Sequence, residues 1–183
     1  MTHSASHPTI EGLYSLFSGA TDRPTVTAIS PTEMPEPYRS LLVHSHHMTV
    51  TVEQFYGQSV HVRVLDTRIN GNDYARKILL SLANDGRVVQ FGIVHIDLSI
   101  LADSVRNEIV AGQTPLGRVL IEHDVLRYIE PAGYIRVQPC RQMCDWFGIS
   151  EAQTTYGRLG VIFTDGKPTI EVLEVLAPIP IIV

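Results

Sequence analysis

Two charged residues occupy positions where strand periodicity calls for apolar ones. In Tyr74-Ala75-Arg76-Lys77-Ile78-Leu79-Leu80 the even positions Tyr74, Ile78, Leu80 and Leu82 form the more apolar face, and Arg76 stands among them. A guanidinium on a core face is costly unless a carboxylate or phosphate meets it, and its planar fork suits bidentate recognition of a carboxylate. In Ile170-Glu171-Val172-Leu173-Glu174-Val175-Leu176 the same parity places Glu174 between Val172 and Leu176, with Glu171 on the other face near a turn. A carboxyl desolvated on such a face has its pKa raised and can donate a proton or a hydrogen bond. Two readings stay open at this point. Either Arg76 and Glu174 neutralise each other as a buried structural pair, or each faces a ligand.

Other chemistry-bearing residues carry weaker signals. His44, His46 and His47 precede a helix and lack the i, i+4 pairing of a zinc-binding helix. Cys140 and Cys144 are the only cysteines, too few for a disulfide framework or a zinc ribbon. Gly112-Gln113-Thr114-Pro115-Leu116-Gly117 lacks the Gly-Lys-Ser/Thr ending of a phosphate loop. Met48, beside an apolar helix face, reads on its own as packing.

The elements that hold these residues follow from period and punctuation. Met48, Val52 and Phe55 are at helical spacing and Gly57 is a stop, which predicts a helix over 48–56. Val60, Val62 and Val64 alternate as in a strand. Residues 73–83 and 87–97 flank Asn84-Asp85-Gly86, and 158–164 and 168–177 flank Thr164-Asp165-Gly166-Lys167, which predicts two hairpins. Between them, Asp97 or Ser99 caps a helical stretch that Gly112 ends, and a second short helix begins at Pro115. Residues 124–139 read as short strands interrupted by Pro131-Ala132-Gly133. Strands, then a helical pair, then more strands, without βαβ alternation, predict an α+β fold with an antiparallel sheet. Residues 1–38, rich in Ser, Thr and Pro with a short apolar stretch from Ile10 to Phe17, are expected to be an irregular extension with a short helix, and 39–183 one domain.

The chain of 183 residues, 44% hydrophobic and 18% charged, has an ordinary globular balance, and its apolar runs are too short to span a bilayer. A net charge of −5 argues against a broad nucleic-acid surface, yet leaves room for two or three cations in a pocket. The first residues lack a basic segment followed by an apolar one, so the cytoplasm is the expected location.

Taken in order, Met48-Thr49-Val50-Thr51-Val52-Glu53, Tyr74-Ala75-Arg76-Lys77-Ile78-Leu79-Leu80, Thr114-Pro115-Leu116-Gly117-Arg118-Val119-Leu120, Tyr156-Gly157-Arg158 and Leu173-Glu174-Val175-Leu176-Ala177-Pro178 resemble the chorismate pyruvate-lyases, in particular their archaeal, mycobacterial and cyanobacterial-type branch. The similarity runs from Leu41 to Pro178. It implies an antiparallel sheet with helices packed on it, a ligand cavity enclosed under helical flaps, no cofactor, and conversion of chorismate to 4-hydroxybenzoate and pyruvate. By the same resemblance Arg76 binds the ring carboxylate with help from backbone groups at Met48 and Leu116, Glu174 works at the C4 end of the ring, and Arg158 meets the enolpyruvyl carboxylate. An aromatic acid, rather than a direct ion pair, is then expected between Arg76 and Glu174. His95 stands where the lyases often carry Arg, which implies a different electrostatic wall. The rivals are a lyase-like enzyme for another enolpyruvyl or aromatic acid, and a non-catalytic effector-binding domain like those of some bacterial transcription regulators, although the residues ahead of Leu41 are too few and too Pro-rich for a winged helix.

Overall fold

The computed structural model describes residues 7–17 and 22–179. Among these residues seven strands form one antiparallel sheet in the order β1-β5-β6-β7-β4-β3-β2. They are β1 (Thr25–Ile29), β2 (Val60–Asn70), β3 (Asp73–Leu82), β4 (Val88–Asp97), β5 (Arg127–Gln138), β6 (Thr155–Thr164) and β7 (Lys167–Leu176). Both expected hairpins form. Gly86 (φ 72) and Gly166 (φ 75), helped in the second by Asp165 (φ 50), take the left-handed conformations that tight antiparallel turns require.

Among the described residues, six α-helices cover the two faces: α1 (Ile10–Ser15), α2 (Tyr38–Leu42), α3 (Met48–Tyr56), α4 (Asp103–Ala111), α5 (Leu116–Glu122) and α6 (Arg141–Phe147). Helix α3 spans the expected residues and ends at Gly57 in the left-handed conformation (φ 67). Asp97 caps a short 3₁₀ turn, Leu98–Ile100, by accepting from the Ser99 amide. That turn precedes α4 as a separate element, because Leu101 and Ala102 have extended backbones.

On one face, Leu13, Tyr14 and Phe17 from the α1 segment and Met143 and Phe147 from α6 pack with Leu79, Phe91, Ile93, Leu173 and Val175. The other face divides. Its α4–α5 half buries Tyr74, Val94, Val105, Ile109, Val119, Leu120 and Val172 together, and its α2–α3 half buries Leu42, Met48, Val52, Ile78, Leu80 and Leu176. The seam between these halves holds the candidate site.

Strand β5 departs from expectation, since it runs unbroken through Pro131-Ala132-Gly133. A register shift between Pro131 and Gly133 absorbs the extra residue as a bulge. The β1 ladder reaches only from Tyr134 to Gln138, so Pro131 lies where β5 is an edge and its missing N–H is tolerated. Three elements were not expected: β1, α2 and α6.

Candidate functional site

Parity and register set the site before any side chain is considered. Arg76 on β3 pairs with Val94 on β4, while Glu174 on β7 pairs with Gly92 on β4 and with Arg158 on β6. Arg76 and Glu174 thus share a face, two strands and two residues apart, about 12 Å between Cα atoms for ordinary sheet spacings. Gly92 lies between them without a side chain, and a Cβ there would meet Ile78 Cδ1 and the Leu173 carbonyl, each at 3.3 Å. The cavity at this seam is lined by Arg76, Glu174, Gln90, Ile78, Val94 and Val172 from the sheet, by His47, Met48 and Thr49 at the start of α3, and by Leu116 and Gly117 at the start of α5.

Arg76 is 1% exposed. Its Nη1 donates to the Ile109 carbonyl at 3.0 Å, in the last turn of α4, and Tyr74 supports its charge. Its Nε is buried without a partner, and it forms no ion pair with any described carboxylate. Burial lowers its pKa, which Tyr74 opposes, but an arginine remains charged at any physiological pH. The cavity wall therefore carries a positive charge that no carboxylate among the described residues neutralises.

Glu174 does have a protein partner, but it is not Arg76. Its Oε2 accepts from Arg158 Nε at 2.7 Å. The rest of the Arg158 guanidinium holds the loop ahead of α3: Nη1 donates to the His44 carbonyl at 2.8 Å and Nη2 to the His46 carbonyl at 2.9 Å. The sequence brings Arg76, Met48, Leu116 and Glu174 to one cavity, while Arg158 is 1% exposed behind Glu174 with its donors directed at that carboxylate and the loop. A Cβ at Gly157 would lie 2.5 Å from the Glu174 carbonyl, so this glycine permits the close β6–β7 approach that sets the pair.

Helices α3 and α5 form the cover. Each begins without a side-chain cap, at His47 and Pro115, so the first-turn N–H groups at Met48 and Leu116 are available to an acceptor in the cavity. The helices touch closely at Gly117, where a Cβ would lie 3.0 Å from His47 Cβ and 3.1 Å from Thr49 Oγ1. Arg118 of α5 binds Glu53 of α3 at 2.6 Å. His47 Nε2 accepts from Arg127 Nε at 2.7 Å. This requires a neutral imidazole, and burial first, then the charges of Arg127 and Arg158, push its pKa down to about 4. His47 also borders an open cleft of about 620 Å³ with Thr51, Arg127 and Tyr128, so it separates the cavity from solvent. The closed cavity leaves only about 40 Å³, room for little more than water, and admission of a ring requires the cover to move.

One expectation is corrected. His95 is not on the cavity wall, because the pleat sends it to the opposite face of β4. There Nδ1 meets Glu171 at 3.1 Å and Nε2 meets Asp73 at 2.7 Å. These contacts, the Glu171 hydrogen bond first, raise its pKa. Any departure from the lyase pattern at this position leaves the wall unchanged. Among the described residues no group of three His, Cys, Asp or Glu side chains is arranged to hold a metal ion, and no helix is long and apolar enough to cross a membrane. Gln90, Thr49, His47 and Gly117 were not foreseen as site residues. Gln90 was legible, since it shares the parity of Gly92 and Val94.

No protein-family model and no curated protein sequence matches the chain. Solved structures do. PhnF from Mycobacterium smegmatis superposes with a TM-score of 0.51 at 10% identity, over 74% of this chain and 65% of that one. The separate effector domain of PhnF gives 0.50 at 10% identity, over 72% and 88%. YydK from Bacillus subtilis gives 0.46 at 9% identity, over 64% and 57%. The chain thus spans less than two thirds of YydK and of the longer PhnF chain. At such identities the likeness is one of fold, and this chain has the chorismate lyase-like α+β architecture, an antiparallel sheet with helices packed on it, that the PhnF effector domain shares.

Proposed function

We propose that this chain encloses a small aromatic carboxylic acid beneath α3 and α5, with the ligand carboxylate on Arg76. The observation that carries this reading is the Arg76 guanidinium, buried on the cavity wall with an unpartnered Nε and no carboxylate of the described residues against it. A buried cation left in this state costs several kcal/mol, roughly, unless an anion arrives to meet it. The open first turns of α3 and α5 add N–H donors and the positive ends of two helix dipoles to the same wall.

Among such acids and their cyclohexadienyl precursors, chorismate is the substrate the ordered motifs favour, with cleavage to 4-hydroxybenzoate and pyruvate. The ring loses its C4 proton as the C3–O bond breaks, the electron pair leaves with the enolpyruvyl oxygen, and the enolpyruvate ketonises to pyruvate. Aromatisation drives the step, so the residues mainly orient the ether over the ring. Glu174 accepts a hydrogen bond from Arg158, and its part at the C4 end is to take up the proton rather than to supply one.

A specific observation favours a second reading, non-catalytic binding of the same kind of acid. The second cation, Arg158, is committed to Glu174 and to the loop, and the fold is shared with an effector domain. Incubating the purified protein with chorismate distinguishes the two. Equimolar 4-hydroxybenzoate and pyruvate, abolished by Arg76→Ala, is the lyase result, and saturable binding without product is the effector-domain result. Neither binding nor product with chorismate or 4-hydroxybenzoate overturns the carboxylate site.

A further inference from the structure

Gln90 is 3% exposed and lines the cavity, and its Oε1 has no hydrogen-bond partner. It lies on β4 four residues from Val94, the ladder partner of Arg76, and two residues from Gly92, the partner of Glu174. Arg76 and Gln90 are therefore at opposite ends of the cavity floor, about 14 Å apart between Cα atoms for ordinary strand geometry. The surrounding wall is apolar: Val62, Ile78, Leu80, Val94 and Val172. An orphaned amide oxygen in such a place costs about 1 to 3 kcal/mol, comparable to the loss of a hydrogen bond, and a folded domain retains few such groups. The cavity thus has two unsatisfied polar positions, a donor at Arg76 and an acceptor at Gln90, separated by apolar surface.

We infer that Gln90 is a specificity-determining residue, its side-chain amide meeting the ligand's hydroxyl at the end of the ring remote from the carboxylate. This rests on the carboxylate reading of Arg76. A hydroxyl suits the position for a physical reason. It donates to Oε1 and also accepts from the same amide, so it satisfies Gln90 in either orientation of the side-chain amide. A second carboxylate has no proton for Oε1, and an apolar group leaves the acceptor buried and unmet. A site of this kind discriminates strongly, because the analogue without the hydroxyl leaves the protein's own polar group unpaired.

Calorimetric titration of 4-hydroxybenzoate and of benzoate into the full chain, its Gln90→Met variant and its Arg76→Met variant tests the inference. The wild type should bind 4-hydroxybenzoate at least tenfold more tightly than benzoate. Gln90→Met, which keeps the side-chain length, should remove that preference by weakening 4-hydroxybenzoate tenfold or more, with benzoate affinity unchanged or tighter. Retained benzoate binding also reports that the variant is folded. A preference that survives Gln90→Met, or equal affinities in the wild type, overturns the role of Gln90 while the carboxylate site stands. Binding of both acids that is indifferent to Arg76→Met, or absent from the wild type, overturns the carboxylate site and the inference together.

Discussion

At Arg76 the fold holds a guanidinium that is 1% exposed, is hydrogen-bonded to a helix-end carbonyl and to Tyr74, and meets no described carboxylate. An uncompensated charge of this kind opposes folding, so Arg76→Met should raise stability by about 1 to 3 kcal/mol in urea unfolding while abolishing 4-hydroxybenzoate binding. A structural arginine would give the opposite stability change. Glu174 behaves differently. Its removal leaves Arg158, 2% exposed in its side chain, without a counter-charge. Glu174→Ala should therefore cost about 3 to 5 kcal/mol, and Glu174→Gln less, since its amide oxygen still accepts from Arg158. Parity alone marked both residues as anomalous. It could not tell which cation Glu174 meets, because the β6–β7 register that brings in Arg158 depends on the close approach at Gly157, a long-range packing property.

Helices α3 and α5 act as one cover because they meet closely at Gly117, where a Cβ would press on His47 and Thr49 at 3.0 to 3.2 Å. Gly117→Ala should push the two helices apart, with a loss of about 1 to 3 kcal/mol and faster ligand exchange in stopped-flow measurements. The cover is also sensitive to pH. His47 accepts the Arg127 proton only when neutral, and its pKa is about 4 in the fold against 6.5 in the free side chain. The unfolded chain binds the extra proton between those values, so this contribution is lost as pH falls from 6.5 towards 4. His95 has the opposite sign. Its pKa is raised above 6.5 by Glu171 and Asp73, so the stability it adds is complete below 6.5 and disappears as pH rises through the folded value. Urea midpoints should show His95→Gln destabilising at about pH 5.5 and close to neutral at about pH 9. The two hairpins, α3 and α5 were legible because Gly punctuation and local period determine them. β1 and α6 were not. β1 is a five-residue edge strand that exists through pairing with β5, and α6 is a seven-residue helix stabilised by docking Met143 and Phe147 on the sheet, so tertiary contacts outweigh local propensity in both.

Across the whole molecule, the sheet separates two kinds of surface. The α1–α6 face carries one apolar cluster, with His95, Glu171 and Asp73 beyond it, and the α2–α5 face splits into two clusters with polar groups placed at the seam. The division explains how a marginally stable domain tolerates Arg76 and Gln90 unsatisfied: the cost is local, and the apolar cluster behind the sheet supplies the rigidity that fixes their positions. The order of the motifs was readable along the chain, whereas the position of His95 depends on the pleat of β4, which turns it away from the face that Gly92 and Val94 present. The crystal structure of the protein with 4-hydroxybenzoate tests the central claim most directly. The ring should lie under α3 and α5 with its carboxylate on the Arg76 guanidinium and its hydroxyl at the Gln90 and Glu174 end. A ligand bound elsewhere, with Arg76 still buried and unpaired, would contradict it.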